Sequence, residues 1–222
     1  MTDPKEVFGK WMDFIDESML LKYRNMLMQC TLNNVPIEPS PERVFSCFKH
    51  TKAENLKVVI LGQDPYFDGG SATGLAFANK ATQTQMSPSL KVIKQSVLSL
   101  SNSEENPKFD QTLESWSEQG ILLLNSALTV RRGEPGSHMK AWRPFIERLL
   151  VAISGKTNAC FLLFGKTAWS FKDCIFDNDR GVFMEYHPAY YARNGIQMPN
   201  TIWKNMLEYV QENYGVILKL YE

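Results

Sequence analysis

Four polar side chains stand where apolar segments stop. Asp64, Asn125, Lys166 and His187 come at or just after the ends of the runs Val58-Val59-Ile60-Leu61, Ile121-Leu122-Leu123-Leu124, Cys160-Phe161-Leu162-Leu163-Phe164 and Val182-Phe183-Met184-Glu185-Tyr186. A carboxylate in such a place can orient a water molecule or stabilise a developing positive charge. Asn125 offers a donor and an acceptor in one plane, the pattern that reads the edge of a nucleobase. His187 can hold or donate a proton near neutral pH. Each residue also suits a plainer role: Asp64 before Pro65 opens a turn, Asn125 caps one, and a lone histidine commonly belongs to a satisfied interior. Their recurrence at the ends of four runs argues for a ligand site built from an acid, an amide and a histidine. The other histidines, His50 and His138, follow none of the runs directly.

The elements that must position these groups are legible in the same runs. The first three are continuously apolar, which fits strands covered on both faces, as in a parallel sheet. The fourth is mixed and belongs at or near an edge. Helical spacing is found over Glu6–Ile15, Pro41–Phe48, Ser89–Leu100, Leu113–Glu118, Trp142–Ile153, Thr167–Phe176 and Thr201–Asn213. Ser87 before Pro88 reads as an N-cap followed by proline at the first helical position, and Gly155 reads as a helix stop. Strands alternating with helices give an α/β layered fold with right-handed crossovers. Open parallel sheets bind ligands at the carboxyl ends of their strands, so the four polar residues are expected in one cleft.

Composition narrows the function classes. With 222 residues and 44% hydrophobic content, residues 1–222 are expected to form one domain. Met1 to Lys10 lacks the pattern of a secretory leader, and no stretch reaches the roughly 18 apolar residues of a membrane span, so a soluble, non-secreted protein is expected. Cys30, Cys47, Cys160 and Cys174 form no CxxC pair and are joined by only three histidines, which supports neither a zinc site nor a disulfide framework. Twenty-four basic residues balance twenty-four acidic ones, so any polyanion must meet local charge. Arg131, Arg132, Lys166 and Arg193 are candidates for such a rim, although scattered surface charge explains each singly. Neither a GxGxxG nor a P-loop signature is present.

Taken in order, the segments resemble the family 1 uracil-DNA glycosylases over roughly residues 41 to 214. Gly62-Gln63-Asp64-Pro65-Tyr66 is similar to that family's water-activating motif, and Gly74-Leu75-Ala76-Phe77 to the segment that supplies its stacking phenylalanine. Ser87-Pro88-Ser89-Leu90-Lys91 resembles its proline-rich DNA loop, and Leu122 to Arg131 its uracil-reading strand. Ser137-His138 fits the downstream pattern, Gly165 the start of the glycine-serine loop, and His187-Pro188 the start of the minor-groove loop.

The resemblance implies a three-layer α/β fold with a central, mostly parallel four-stranded sheet flanked by helices. It also implies hydrolysis of the N-glycosidic bond of uracil in single- and double-stranded DNA, with the target nucleotide flipped into a pocket. Phe77 would stack on the base, Asn125 would read N3–H and O4, and Tyr66 would exclude a thymine methyl. Asp64 would serve the attacking water and the cationic sugar; neutral His187, with the Gln63 backbone N–H, would stabilise the leaving uracil. Ser87, Pro88, Ser89, Gly165, Lys166, Pro188, Ala189 and Tyr191 would contact DNA. No metal or organic cofactor is implied. The expected setting is a monomer in the cytoplasm, or in the nucleus in a eukaryotic or viral context, with a proteinaceous glycosylase inhibitor as a possible second partner.

Three departures bear on DNA handling. Phe67 stands where the family has histidine, and Lys166 replaces the loop serine. His187-Pro188-Ala189-Tyr190-Tyr191-Ala192 stands for the usual His-Pro-Ser-Pro-Leu-Ser, which removes a hydroxyl at Ala189 and puts Tyr191 where a leucine wedges into the duplex. Tyr191, or as second choice Tyr190, is expected to fill the vacated space in the stack. A competing class is a glycosylase-like DNA-binding or replication-accessory protein with little or no catalysis.

Overall fold

The computed structural model describes residues 8–101, 107–176 and 181–222. The strands among these residues are β1 (Ile37–Glu38), β2 (Val58–Gly62), β3 (Ile121–Asn125), β4 (Val130–Arg131), β5 (Cys160–Phe164) and β6 (Val182–Glu185). The α-helices among these residues are α1 (Glu17–Leu32), α2 (Ser46–His50), α3 (Pro88–Leu98), α4 (Glu114–Glu118), α5 (Met139–Lys156), α6 (Gly165–Trp169), α7 (Pro188–Asn194) and α8 (Thr201–Tyr214). The main sheet has the order β3-β2-β5-β6 with every pairing parallel, so the mixed fourth run is at an edge, and the apolar β3 forms the other. β1 and β4 form a separate antiparallel pair.

Every residue of β2, β3 and β5 is buried because helices cover both faces. Val59, Leu61, Leu122, Leu124, Phe161 and Leu163 face a core that includes Trp142 and Phe145 of α5. Val58, Ile60, Ile121, Leu123, Leu162 and Phe164 face the opposite core, which contains Leu90 and Ile93 of α3, Trp116 of α4 and Trp203 of α8. The alternation of strand side chains between the two cores produces the three layers.

Register then fixes where the strands end. Gly62 lies opposite Asn125, Leu61 opposite Leu163, and Phe164 opposite Glu185. The chain therefore leaves β2, β3, β5 and β6 along one rim of the sheet. Ser87 caps α3 with its hydroxyl accepting from the Leu90 N–H at 3.4 Å, and Pro88 occupies the first helical position, as its sequence signature predicts.

Other boundaries differ from expectation. Gly155 lies inside α5; the helix runs on to Lys156, where Thr157 returns both its N–H and its hydroxyl to the Ile153 carbonyl, each at 2.9 Å. The spans Pro41–Phe48 and Thr167–Phe176 each divide into a short α-helix and a 3-10 turn. Within Glu6–Ile15, residues 6 and 7 lie outside the described residues, and a 3-10 turn covers Gly9–Asp13. Helix α1 has no clean apolar stripe: Met19, Leu20 and Tyr23 are buried, whereas Leu21, Met28 and Leu32 are exposed. Helix α7, with Pro188 at its first position, lies where the sequence gives no helical spacing. All four cysteines are free thiols, and burial pushes those of Cys47 and Cys160 up to about 12. No helix among the described residues is long and apolar enough to cross a membrane.

Trp142 ties one core together. It is fully buried, stacks on Tyr23 at 4.2 Å, and donates its indole N–H to the Thr129 hydroxyl at 2.7 Å. Trp142→Ala is expected to cost about 3–5 kcal/mol of stability, read as a lower urea midpoint at unchanged slope; a loss below about 1 kcal/mol would contradict this role for the ring.

Candidate active site

The rim of the sheet carries a small slot. Asp64, Tyr66, Phe77, Asn125 and His187 all line it, together with Gln63 and Ser89. Residues 63 to 187 thus converge through the register of three strand ends and one loop.

The floor depends on Gly62. A Cβ placed there would lie 2.7 Å from Asn125 Oδ1 and 3.2 Å from Phe77 Cζ, so any side chain would collide with the amide and the ring. The carbonyl of Gly62 accepts from the Ser126 N–H at 3.1 Å and the Ser126 hydroxyl at 2.7 Å, and the Gln63 carbonyl accepts from Ala127 at 3.0 Å. These bonds lock the turn after β3 against the turn after β2. Asn125 is only 7% exposed, and among the described residues no hydrogen bond engages its amide. A buried amide with free donor and acceptor is a recognition element, because an ill-matched ligand leaves it unpaired.

Phe77 forms a wall. Its ring meets Phe164 edge-on at 5.5 Å and lies 5.5 Å from the His187 ring. Its backbone has φ +65°, an unfavourable conformation for a bulky residue and one that strain-bearing sites tolerate. The Tyr66 hydroxyl donates to the Phe77 carbonyl at 2.8 Å and accepts from the Ser87 hydroxyl at 2.6 Å. Burial pushes the Tyr66 phenol up to about 12, so it stays neutral.

Asp64 sits at the mouth. Its Oδ2 accepts the Gly136 backbone N–H at 2.6 Å. Burial raises its pKa, and the Gly136 hydrogen bond opposes that rise. The other oxygen remains for a water or a cationic group. Gly136 was not singled out from sequence, although the turn Gly133-Glu134-Pro135-Gly136 advertises the bend that delivers it.

His187 caps α7. Its Nδ1 accepts the Ala189 N–H at 3.2 Å, which leaves the proton of the neutral ring on Nε2. Desolvation first, and Arg193 second, depress its pKa to about 4. The ring is therefore a neutral donor at physiological pH. Gly165 makes its position possible: with φ +85°, a Cβ there would fall 2.8 Å from His187 Cβ. By contrast, His138 is held in a buried network, with Nδ1 at 2.9 Å from the Thr129 hydroxyl.

The remaining sequence candidates divide. Ser87, Pro88 and Ser89 form the start of α3 beside the slot, and Gly165 and Pro188 pack around His187. Ala189 follows Pro188 in the first turn of α7, and its N–H orients the imidazole. Lys166 is exposed and does not line the slot, contrary to the single cleft expected for all four strand-end residues, because α6 turns it outward. Arg132 pairs with Glu38 at 2.9 Å and Arg131 with Glu134 at 3.5 Å, so two of the four expected rim cations already meet carboxylates.

Tyr191 is placed differently from expectation. It is 6% exposed, and its hydroxyl donates to Glu185 Oε1 at 2.5 Å, so its ring packs into the core rather than standing out from the surface. The family resemblance put it at the wedge position, but the helical turn that begins at Pro188 rotates it inward and leaves Tyr190 outside.

Comparison with known proteins gives the family and the fold. Residues 48–211 match the family described as the Uracil DNA glycosylase superfamily. The chain is 37% identical over 185 residues to the uracil-DNA glycosylase of Equine herpesvirus 2 (strain 86/87), covering 81% of this chain and 71% of the relative. It is 36% identical over 187 residues to that of Psychromonas ingrahamii (strain DSM 17664 / CCUG 51855 / 37), covering 81% and 85%. In fold it resembles a mimivirus UNG variant in complex with UGI, with TM-score 0.82 and 20% identity over 99% of this chain and 89% of that one.

The imidazole gives a direct check of the site's electrostatics. A histidine in the unfolded chain titrates near 6.5 and His187 near 4, so the unfolded state binds more protons between these values. Its contribution to stability is complete above about 6.5 and is lost as pH falls toward 4. NMR titration is expected to show one ring midpoint near 4, absent in His187→Gln; a midpoint near 6.5 for this ring would contradict its burial.

Proposed function

The chain belongs to the uracil DNA glycosylase superfamily, and on that premise we propose that its slot receives a uracil flipped out of DNA and cleaves the glycosidic bond to leave an abasic site. The observation that carries this reading is the convergence of Asp64, Tyr66, Phe77, Asn125 and His187 on one slot.

The fit is chemical. Phe77 offers a face to the pyrimidine, and the Asn125 amide matches a ring N–H beside a carbonyl. Cytosine presents the opposite polarity on that edge and would leave buried groups unpaired, which is the stronger form of discrimination. Tyr66 borders the slot and stands against the C5 position, where thymine carries a methyl. Extrusion of the nucleotide costs a few kcal/mol, which these contacts offset.

Cleavage follows from two groups of opposite demand. As the C1′–N1 bond lengthens, its electron pair moves into the uracil ring and positive charge grows on the sugar. The Nε2–H of His187 and the Gln63 backbone N–H stabilise the negative charge at O2, and the Asp64 carboxylate stabilises the sugar cation. Asp64 also holds the water whose oxygen bonds to C1′, and the water's proton leaves through this carboxylate. His187 acts without being protonated, which suits a group titrating near 4.

On the same reading the protein works as a single catalytic domain and as a monomer, in the cytoplasm or in the nucleus of a eukaryotic or virus-infected cell. A proteinaceous inhibitor of the UGI kind is a second partner, supported by the fold-level likeness to the mimivirus complex.

Incubation of the protein with uracil-containing single- and double-stranded DNA is expected to release free uracil and leave alkali-sensitive sites; binding without release would favour an accessory role instead. Asp64→Asn is expected to lower kcat about 10²–10⁴-fold with folding retained, and undiminished turnover would exclude its role. Tyr66→Ala is expected to release thymine from DNA, and a folded, uracil-active variant that releases none would exclude the steric gate.

A further inference from the structure

On either side of His187 in sequence, two tyrosine rings lie stacked and open to solvent. Tyr186 and Tyr190 have centroids 4.9 Å apart and planes 28° from parallel, and they are 47% and 39% exposed. Trp169 backs the pair, 5.3 Å from Tyr186. This ladder is held firmly. The Trp169 indole N–H is shared between the Leu163 carbonyl at 3.0 Å and the Glu185 carbonyl at 3.1 Å, at the ends of β5 and β6. The Tyr186 N–H donates to Glu185 Oε1 at 2.7 Å, the same oxygen that receives the Tyr191 hydroxyl, and the Tyr190 N–H donates to the His187 carbonyl at 2.7 Å.

Three aromatic rings in sequence are more often buried than presented to water. Here the two outer ones flank His187 in sequence: Tyr186 immediately precedes it and Tyr190 lies one turn into the helix it caps. Lys166 and Arg193 are exposed on the two helices that carry the ladder, α6 and α7, and among the described residues neither joins an ion pair. A rigid aromatic face with flanking cations, on the two sides in sequence of a residue that lines the slot, has the makeup of a nucleic-acid platform: bases stack on rings while cations follow phosphates.

We propose that the Tyr186–Tyr190 pair is a stacking platform for the base neighbouring the flipped uracil on the same strand. The proposal rests on the glycosylase reading and adds a contact to the flanking nucleotide.

The test uses single-stranded oligonucleotides with one uracil, flanked either by ordinary bases or by tetrahydrofuran spacers that keep the phosphates and lack the bases. The unmodified protein is expected to show kcat/KM about tenfold higher with base flanks. In Tyr186→Ala and in Tyr186→Ala/Tyr190→Ala that ratio is expected to fall to about one, while Tyr186→Phe, which keeps the ring, retains it. The ratio is internal to each variant, so a general loss of activity does not disguise it. Uracil release that is indifferent to the flanks, or a flank preference that survives removal of both rings, overturns the platform and leaves the glycosylase reading intact. Failure to release uracil from any strand overturns both.

Discussion

The absence of a side chain at Gly62 governs the site. Parallel pairing puts this residue directly opposite Asn125, and the amide oxygen and the Phe77 ring occupy the volume that any Cβ would need. The recognition amide, the aromatic wall and the strand register are therefore solutions to one packing problem. The adjoining turns close on the same point, since Ser126 and Ala127 bond back to Gly62 and Gln63. Hydrogen bonds and close packing thus hold the polar groups of the slot in place, the kind of preorganisation that lets hydrogen-bond donors act on a developing charge.

The electrostatics divide the slot into two halves. Burial works against charge on both ionisable groups, raising the pKa of Asp64 and depressing that of His187. A backbone N–H from Gly136 offsets part of the penalty at Asp64, so an anion is held in partial desolvation. At His187 the backbone supplies a donor to Nδ1, the neutral ring keeps its other proton, and Arg193 further opposes a positive charge. Backbone hydrogen bonds thereby decide which group is charged and which is neutral.

Much of this was legible in the sequence, and what was not has identifiable causes. Continuous apolar runs revealed the parallel sheet because burial on both faces leaves no alternation to misread. Three of the four polar residues after those runs, Asp64, Asn125 and His187, line one slot because the strands of an open α/β sheet end along one rim, whereas Lys166 turns away from it. Backbone donors are invisible to residue-type reasoning, so Gly136 went unseen although its N–H fixes the acid. The burial of Tyr191 went unseen because matching a motif by position assumes the same backbone path; here a helix begins at Pro188 and turns the ring toward Glu185. Helix α1 escaped because its buried and exposed apolar residues are interleaved.

The Tyr66 hydroxyl bridges two parts of the molecule that have separate duties. One of its contacts is with the carbonyl of the residue that walls the slot, and the other is with the hydroxyl that caps α3. A single oxygen atom is thus common to the base pocket and to the end of a helix beside it. Displacing that helix end disturbs the pocket wall, and any reshaping of the wall loosens the cap, so the two behave as one mechanical unit.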